Sequence, residues 1–75
     1  MKATPAVKWR QVESSNVARV GWDDYGTMYV TYKSGVTYSY IGVSRQRAVA
    51  CAYAPSVGSY INKRIKGHFK PVKIG

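Results

Sequence analysis

The residues best suited to binding chemistry are the cations, which no acidic residue balances after the first third of the chain. The 75 residues contain twelve Lys or Arg and three acids, which gives a formal net charge of +9. The acids are Glu13, Asp23 and Asp24, so from Tyr25 onward the chain has eight Lys or Arg residues and no acid. This asymmetry indicates an anionic partner, either nucleic acid or an acidic protein surface, and it argues against a DNA mimic. The alternative is a charged face that serves only solvation.

The first candidate contact group is Arg45 and Arg47, which follow Ser44, a predicted helix N-cap. The helix macrodipole disfavours cations in a first turn by about 0.3–1 kcal/mol each. A sequence that accepts a local penalty often does so for function. Alternatively, the long stems of these arginines cover apolar surface.

The second group is the densest basic cluster and comprises Lys63, Arg64, Lys66, Lys70 and Lys73. Helical spacing predicts that Lys63 and Lys66 share one face. If these cations met phosphates, counterion release would make binding fall steeply with salt. A solvated charged face is again the alternative.

The third group is Trp9 with its neighbours Lys8 and Arg10. Trp and Arg are frequent hot spots of protein interfaces, so Trp9 is a candidate docking anchor. Trp9 could equally cover one end of a sheet.

Residues suited to bond-making chemistry are scarce. Cys51 and His68 are the only cysteine and histidine, and Cys51 lies in an alanine-rich helical stretch where a small buried residue is expected. One His and one Cys cannot form a structural zinc site. Asp23 and Asp24 are adjacent in a run of turn-forming residues, which accounts for them better than acid–base catalysis. We therefore predict no enzymatic activity, no cofactor, no metal and no small-molecule substrate.

The elements that position the cations are predicted as a three-stranded antiparallel meander over residues 15–23, 26–33 and 36–42. A three-residue loop at 33–35, with Gly35 in the left-handed conformation, sets Met28 opposite Tyr40 and Val30 opposite Tyr38. This register gives one coherent apolar face, so burial selects it. Of the four tyrosines between residues 29 and 40, only Tyr29 then points away. The tyrosines are thus predicted to form a core rather than a platform for stacked bases.

Two C-terminal helices are predicted to pack on the apolar face. The first follows Ser44 and runs to about Tyr53; the second follows Ser56 and is stopped by Gly67. The predicted fold class is α+β, with a single domain at 14–69, a flexible N-terminal arm at 1–13 and a basic C-terminal tail at 70–75. The single cysteine and the lack of a run of about 18 apolar residues predict a cytoplasmic protein without a membrane partner.

Several sequence strings resemble the KTSC domain family, which is named for the C-terminus of some lysyl-tRNA synthetases. The strings are SSNVARVGWD, SGVTYSYIGV and APSVGSYINKRIKGHF, and the resemblance covers roughly residues 14–69. Its features are Ser14-Ser15, Gly21-Trp22-Asp23, Gly35, Tyr38-x-Tyr40 and Ala54-x-Ser56-x-Gly58. Ser44 stands where the family usually has proline, and Trp22 replaces the usual tyrosine. The resemblance implies an RNA- or DNA-binding module.

The whole chain also resembles small phage-encoded transcription regulators. This second resemblance implies a non-catalytic protein that binds subunits of host bacterial RNA polymerase, inhibits initiation or promotes antitermination, and acts in the bacterial cytoplasm. We take polymerase as the first expected partner and nucleic acid as the alternative.

Overall fold

The computed structural model describes residues 6–75, which form a five-stranded antiparallel sheet and two helical segments. The strands follow the order β1-β2-β3-β4-β5 across the sheet. Their bounds are β1 Lys8–Gln11, β2 Val17–Trp22, β3 Thr27–Tyr32, β4 Thr37–Ile41 and β5 Pro71–Lys73. Helix α1 spans Arg45–Ala52, and α2 spans Val57–Tyr60 and continues into a π-helical segment, Ile61–Ile65. The predicted α+β class is confirmed.

The register predicted between β3 and β4 is also confirmed. Met28 pairs with Tyr40 and Val30 with Tyr38. Gly35 has a φ of +98°, and the Tyr32 N–H donates to the Val36 carbonyl across the loop. A glycine is needed there because this backbone region is strained for residues with a Cβ.

Both helical segments lie on one face of the sheet and close the core. Their buried residues are Ala48, Cys51, Ala52, Val57, Ile61 and Ile65, which pack with Val17, Val20, Met28, Val30, Tyr40 and Val43. The predicted N-caps are confirmed, because the Ser44 hydroxyl accepts from the Arg47 N–H and the Ser56 hydroxyl accepts from the Ser59 N–H. The opposite face of the sheet carries no helix, and we call it the open face.

The second helix departs from the regular α-helix predicted for it. After Tyr60 the backbone widens to π-helical pairing, and the Lys66 N–H donates to the Ile61 carbonyl five residues earlier. Ile61 and Ile65, at the two ends of this segment, are both buried in the core. Gly67 then reverses the chain with a φ of +83°.

The prediction of three strands is wrong, because the arm and the tail each contribute one. Residues Lys8–Gln11 of the predicted arm pair with β2, and Pro71–Lys73 of the predicted tail pair with β4. Every residue of these two strands is exposed. Without a buried face they carry no apolar alternation, which is the pattern that identifies a strand in a sequence. Residues 1–5 of the predicted arm lie outside the described residues.

No helix within residues 6–75 is long and apolar enough to cross a membrane.

Candidate functional site

The two helical segments form a groove in which two arginines meet. Arg47 and Arg64 line both of two adjoining clefts, of about 290 and 280 Å³. The other lining residues are Ser44, Gln46, Ala50 and Tyr60 in the first cleft, and His68 and Phe69 in the second. We call this surface the helical groove. It combines two guanidinium groups with aromatic rings, which suits it to carboxylate or phosphate groups.

Local structure explains why these two arginines come together. Arg47 is the third residue of α1, and its N–H is held by the cap at Ser44. Arg64 is the fourth residue of the π-helical segment. The turn at Gly67 then brings His68 back, so that its Nε2 donates to the Lys63 carbonyl at 3.2 Å. The sequence has no acid after Asp24, so the segments that form the groove contribute no carboxylate of their own.

The remaining cations of the predicted helical groups do not line the groove. Arg45 and Lys63 are exposed on the same segments, and Lys70 is exposed in the connection to β5. Lys66 follows the end of the π-helical segment, where the backbone is extended, so it does not share a regular helix face with Lys63. Lys73 lies on β5, across the sheet from β1.

Lys66 instead lies at a cleft lined by tyrosines. Its Nζ is 5.7 Å from the centre of the Tyr32 ring, and Tyr32 packs edge-on against Tyr38 with ring centres 5.9 Å apart. The cleft has a volume of about 370 Å³, and Tyr40 also lines it. The Tyr32 hydroxyl is buried and has no hydrogen-bond partner among the described residues. Burial, with a smaller effect of the Tyr32 hydroxyl, raises the pKa of Tyr40 above its usual range.

A second cluster of polar and aromatic side chains lies on the open face around Trp9. The Arg19 guanidinium carbon is 4.0 Å from the centre of the Trp9 ring, and the Arg19 Nε donates to the Thr31 hydroxyl at 3.4 Å. The Trp9 and Tyr29 rings have centres 6.0 Å apart at an angle of 49°. We call Trp9, Arg19, Tyr29 and Thr31 the β1 patch. Of the other residues predicted beside Trp9, Arg10 stacks on Tyr53, with its guanidinium carbon 4.0 Å from the ring centre.

Sequence reasoning missed Arg19 as a binding candidate. Its alternation with Val20 places Arg19 on the open face, but its proximity to Trp9 depends on the pairing of β1 with β2. The only signal in the sequence is the small residue Gly21 opposite Trp9. A Cβ at residue 21 would lie 2.8 Å from Trp9 Cε3 and 2.9 Å from Val7 Cγ1, so the ring needs a glycine beneath it.

Asp23 supports the β1 patch from the β2–β3 turn. One of its carboxylate oxygens accepts from the backbone N–H groups of Tyr25 and Thr27, and the other accepts from the Tyr29 hydroxyl at 2.9 Å. Desolvation, and then the hydrogen bond to Asp23, raise the pKa of Tyr29. The side chain of Asp23 is 4% exposed. Asp23 therefore has the structural role that its turn context predicted.

Two of the motifs that carry the family resemblance, Ser14-Ser15 and the segment from Ser56 to Gly58, meet at a polar cleft of about 280 Å³ between the start of β2 and the start of α2. Ser14 Oγ accepts from the Val17 N–H and donates to Asn16 Oδ1. A Cβ at residue 58 would lie 3.2 Å from Asn16 Oδ1, so Gly58 permits close packing of this seam. The KTSC domain model matches residues 13–69, which is most of the chain. The chain belongs to the KTSC domain family.

A solved KTSC structure supports the whole architecture. The crystal structure of a KTSC domain protein from Yersinia pestis superposes with a TM-score of 0.83 at 32% sequence identity. The superposition covers 93% of this chain and 100% of the Yersinia pestis chain. No curated protein matches the sequence.

In this KTSC domain the two residues considered for nucleophilic chemistry occupy different environments. Cys51 is fully buried in the core, and burial raises the pKa of its thiol to about 12. His68 is exposed beside the helical groove. A thiolate nucleophile requires a lowered pKa and access to substrate, and Cys51 has neither.

Proposed function

We propose that this KTSC domain is a non-catalytic module that regulates transcription by binding an acidic surface of bacterial RNA polymerase through the helical groove. The observation that carries the proposal is the juxtaposition of Arg47 and Arg64 in a part of the chain that contains no acid. Polymerase is proposed as the partner on the expectation, drawn from the sequence, that the chain is related to phage-encoded regulators of that enzyme. Inhibition of initiation or promotion of antitermination, in the bacterial cytoplasm, belongs to the same proposal.

The geometry of the groove suits carboxylate side chains on a protein surface. Each guanidinium can form a bidentate pair with a carboxylate, and such pairs set orientation as well as affinity. The excess positive charge of the chain would also accelerate encounter with an acidic surface. The cations outside the groove contribute to this attraction but do not fix the orientation of the complex.

The test is a pull-down of purified, nuclease-treated bacterial RNA polymerase with the immobilised chain. The double substitution Arg47→Gln and Arg64→Gln should remove most of the bound polymerase. The matched control is Lys33→Gln with Lys73→Gln, which removes the same charge outside the groove and should retain binding. Equal loss in both variants would mean that only net charge matters, and no capture by the original chain would refute the polymerase proposal.

Nucleic acid is a second candidate, favoured by the aromatic rings of Tyr60 and Phe69 beside the arginines. Cations alternating with rings are typical of surfaces that bind single strands, because phosphates meet the cations and bases stack on the rings. Titration of a fluorescent single-stranded RNA at several salt concentrations separates the two candidates. A nucleic-acid binder gives a slope of about −0.7 per phosphate contact in a plot of log affinity against log salt. The polymerase proposal predicts little affinity for bare RNA at physiological salt.

A further inference from the structure

We propose that the outer edge of β1 is a docking site for an acidic, extended segment of a partner protein, which would add to the sheet as a sixth strand. Such strand addition takes affinity from backbone hydrogen bonds and specificity from alternate side chains. The proposal goes beyond the function proposed above, because it concerns the edge of the sheet and the β1 patch rather than the helical groove.

The two edges of the sheet differ in their capacity to accept a strand. The β5 edge is three residues long and begins with Pro71, which has no N–H to donate. The β1 edge has four residues and no proline. Among residues 6–75, β1 is therefore the better template for an added strand.

The ladder of hydrogen bonds shows which backbone groups of β1 face outward. In an antiparallel pair, residues bonded to the neighbouring strand alternate with residues whose N–H and C=O point away. The Val12 N–H donates to the Ala18 carbonyl on β2. Because bonded residues alternate along the strand, the backbone N–H and C=O groups of Lys8 and Arg10 also point toward β2. The N–H and C=O groups of Trp9 and Gln11 are left at the outer edge.

The side chains along this edge select acidic residues. An added strand would alternate between the helix-side face, where Lys8 and Arg10 lie, and the open face, where Trp9 and Arg19 lie. The Arg19 guanidinium is already oriented by the Trp9 ring and by its hydrogen bond to Thr31. A carboxylate that binds it therefore meets a pre-organised donor, which lowers the entropy lost on binding.

The same features disfavour other occupants. Lysine and arginine on an edge strand repel a second copy of the chain, which is how native proteins prevent edge-to-edge pairing. The Trp9 ring packs on Gly21 and is covered by the Arg19 guanidinium, so it is not a free platform for a nucleic-acid base. An acidic protein segment satisfies the backbone groups and the cations together.

The test uses an NMR titration of the full chain with the peptide acetyl-(Glu-Val)4-amide. The matched control peptide is acetyl-(Glu-Pro)4-amide, which has the same charge but lacks half of the N–H donors and is held by its prolines in a polyproline-II conformation rather than a β-strand. We expect the Glu-Val peptide to shift the amides of Trp9 and Gln11 and to protect them from hydrogen exchange, whereas the Glu-Pro peptide does neither.

Three variants locate the contact. Gln11→Pro removes an outward N–H and should weaken peptide binding by about threefold to tenfold, the effect of losing one neutral backbone hydrogen bond. Arg19→Gln removes the guanidinium and should weaken it by about tenfold or more, the effect of losing one charge-assisted hydrogen bond. Lys73→Gln, on the opposite edge, should bind like the original chain. If Gln11→Pro does not fold, Arg19→Gln decides, since Arg19 is exposed.

Four results would overturn the inference: no binding of the Glu-Val peptide, equal binding of both peptides, shifts confined to the helical groove, or preferential binding of a single-stranded RNA at the β1 patch. The Arg47→Gln and Arg64→Gln variant should still bind the peptide. Failure of the groove proposal can therefore be distinguished from failure of the edge proposal.

Discussion

Asp23 anchors three donors at the β2–β3 turn and is the acid whose removal should cost most. Asp23→Ala leaves two backbone N–H groups and the Tyr29 hydroxyl without their acceptor. Since an unsatisfied buried donor costs about 1–3 kcal/mol, we expect a loss of about 2–4 kcal/mol in the free energy of unfolding, measured by urea denaturation. Asp24→Ala, at the exposed neighbouring residue, should change stability by no more than about 0.5 kcal/mol. Equal effects of the two substitutions would contradict the role assigned to Asp23.

Cys51 should be inert while the chain is folded. Its thiol is buried and has a pKa of about 12, so the thiolate is scarce at pH 8. We expect reaction with Ellman's reagent at pH 8 to be at least about a hundredfold slower in buffer than in denaturing urea, because only the thiolate reacts. The urea sample serves as the control for intrinsic reactivity. Rapid modification of the folded chain would mean that the core around α1 opens readily.

Ionisation of buried groups should limit stability at alkaline pH. Burial raises the pKa of Cys51 to about 12, and the pKa values of Tyr29 and Tyr40 are also raised. Groups with raised pKa values favour the folded state while they stay protonated. Their contribution to the free energy of unfolding is complete below the pKa values of the unfolded chain, about 8.5 for Cys and about 10 for Tyr, and it is lost as pH rises toward the pKa values of the folded chain. The melting temperature should therefore decline above about pH 9. Cys51→Ala should begin this decline at higher pH, and an identical pH profile would exclude a contribution from Cys51.

At the scale of elements, β1 depends on the contact between Trp9 and Gly21. A methyl group at residue 21 would clash with Trp9 and Val7 on the open face. We expect Gly21→Ala to release β1 from β2 while the β2–β4 meander persists. Amide hydrogen exchange should accelerate at residues 8–11, and tryptophan emission should shift to longer wavelength.

The control for Gly21→Ala is Gly75→Ala, because a Cβ at residue 75 would lie 3.7 Å from the Thr37 Cβ, an ordinary contact. That substitution should leave β1 exchange unchanged. Unchanged exchange in Gly21→Ala as well would mean that backbone pairing alone holds β1.

The meander and the caps could be predicted from sequence because burial constrains them. Only one register places Met28 and Val30 opposite the buried side of β4, and Ser44 and Ser56 are strong cap residues before apolar runs. The edge strands could not be predicted, since β1 and β5 bury no side chain and are defined by backbone pairing. The π-helical widening after Tyr60 likewise has no signal in the sequence, because Ile61 and Ile65 are four residues apart and would share one face of a regular α-helix too.

The candidate sites were likewise predictable only in part, since the sequence identifies cations but not which of them lie together. Arg47 was identified from its place in the first turn of a predicted helix and Arg64 from the density of charge around it, but their meeting in one groove depends on how the two helical segments pack. Arg19 was not identified, because its position beside Trp9 requires β1 to be a strand. Charge can therefore be counted from sequence, whereas the orientation of each cation depends on tertiary contacts.

At the scale of the whole molecule, the twelve cations and three acids should make binding and stability respond to salt in opposite ways. Unneutralised like charges destabilise a compact state. Salt at 0.1 M largely screens the repulsion between exposed charges that are more than about 10 Å apart. We expect the melting temperature to rise as NaCl increases from about 20 to about 300 mM, over the range in which binding to an anionic partner weakens.

The opposition between binding and stability should be strongest at the helical groove, because Arg47 and Arg64 line the same two clefts. Arg47→Gln with Arg64→Gln should raise the melting temperature at low salt, and the gain should disappear at high salt, while partner binding is reduced throughout. Lys33→Gln with Lys73→Gln removes equal charge from separate sites and should stabilise less. If the arginine variant instead melts lower at every salt concentration, the arginine stems stabilise the fold by covering apolar surface. We expect the arginine variant to melt higher at low salt, because binding sites commonly hold groups whose arrangement destabilises the fold. Here those groups are the two like charges of Arg47 and Arg64.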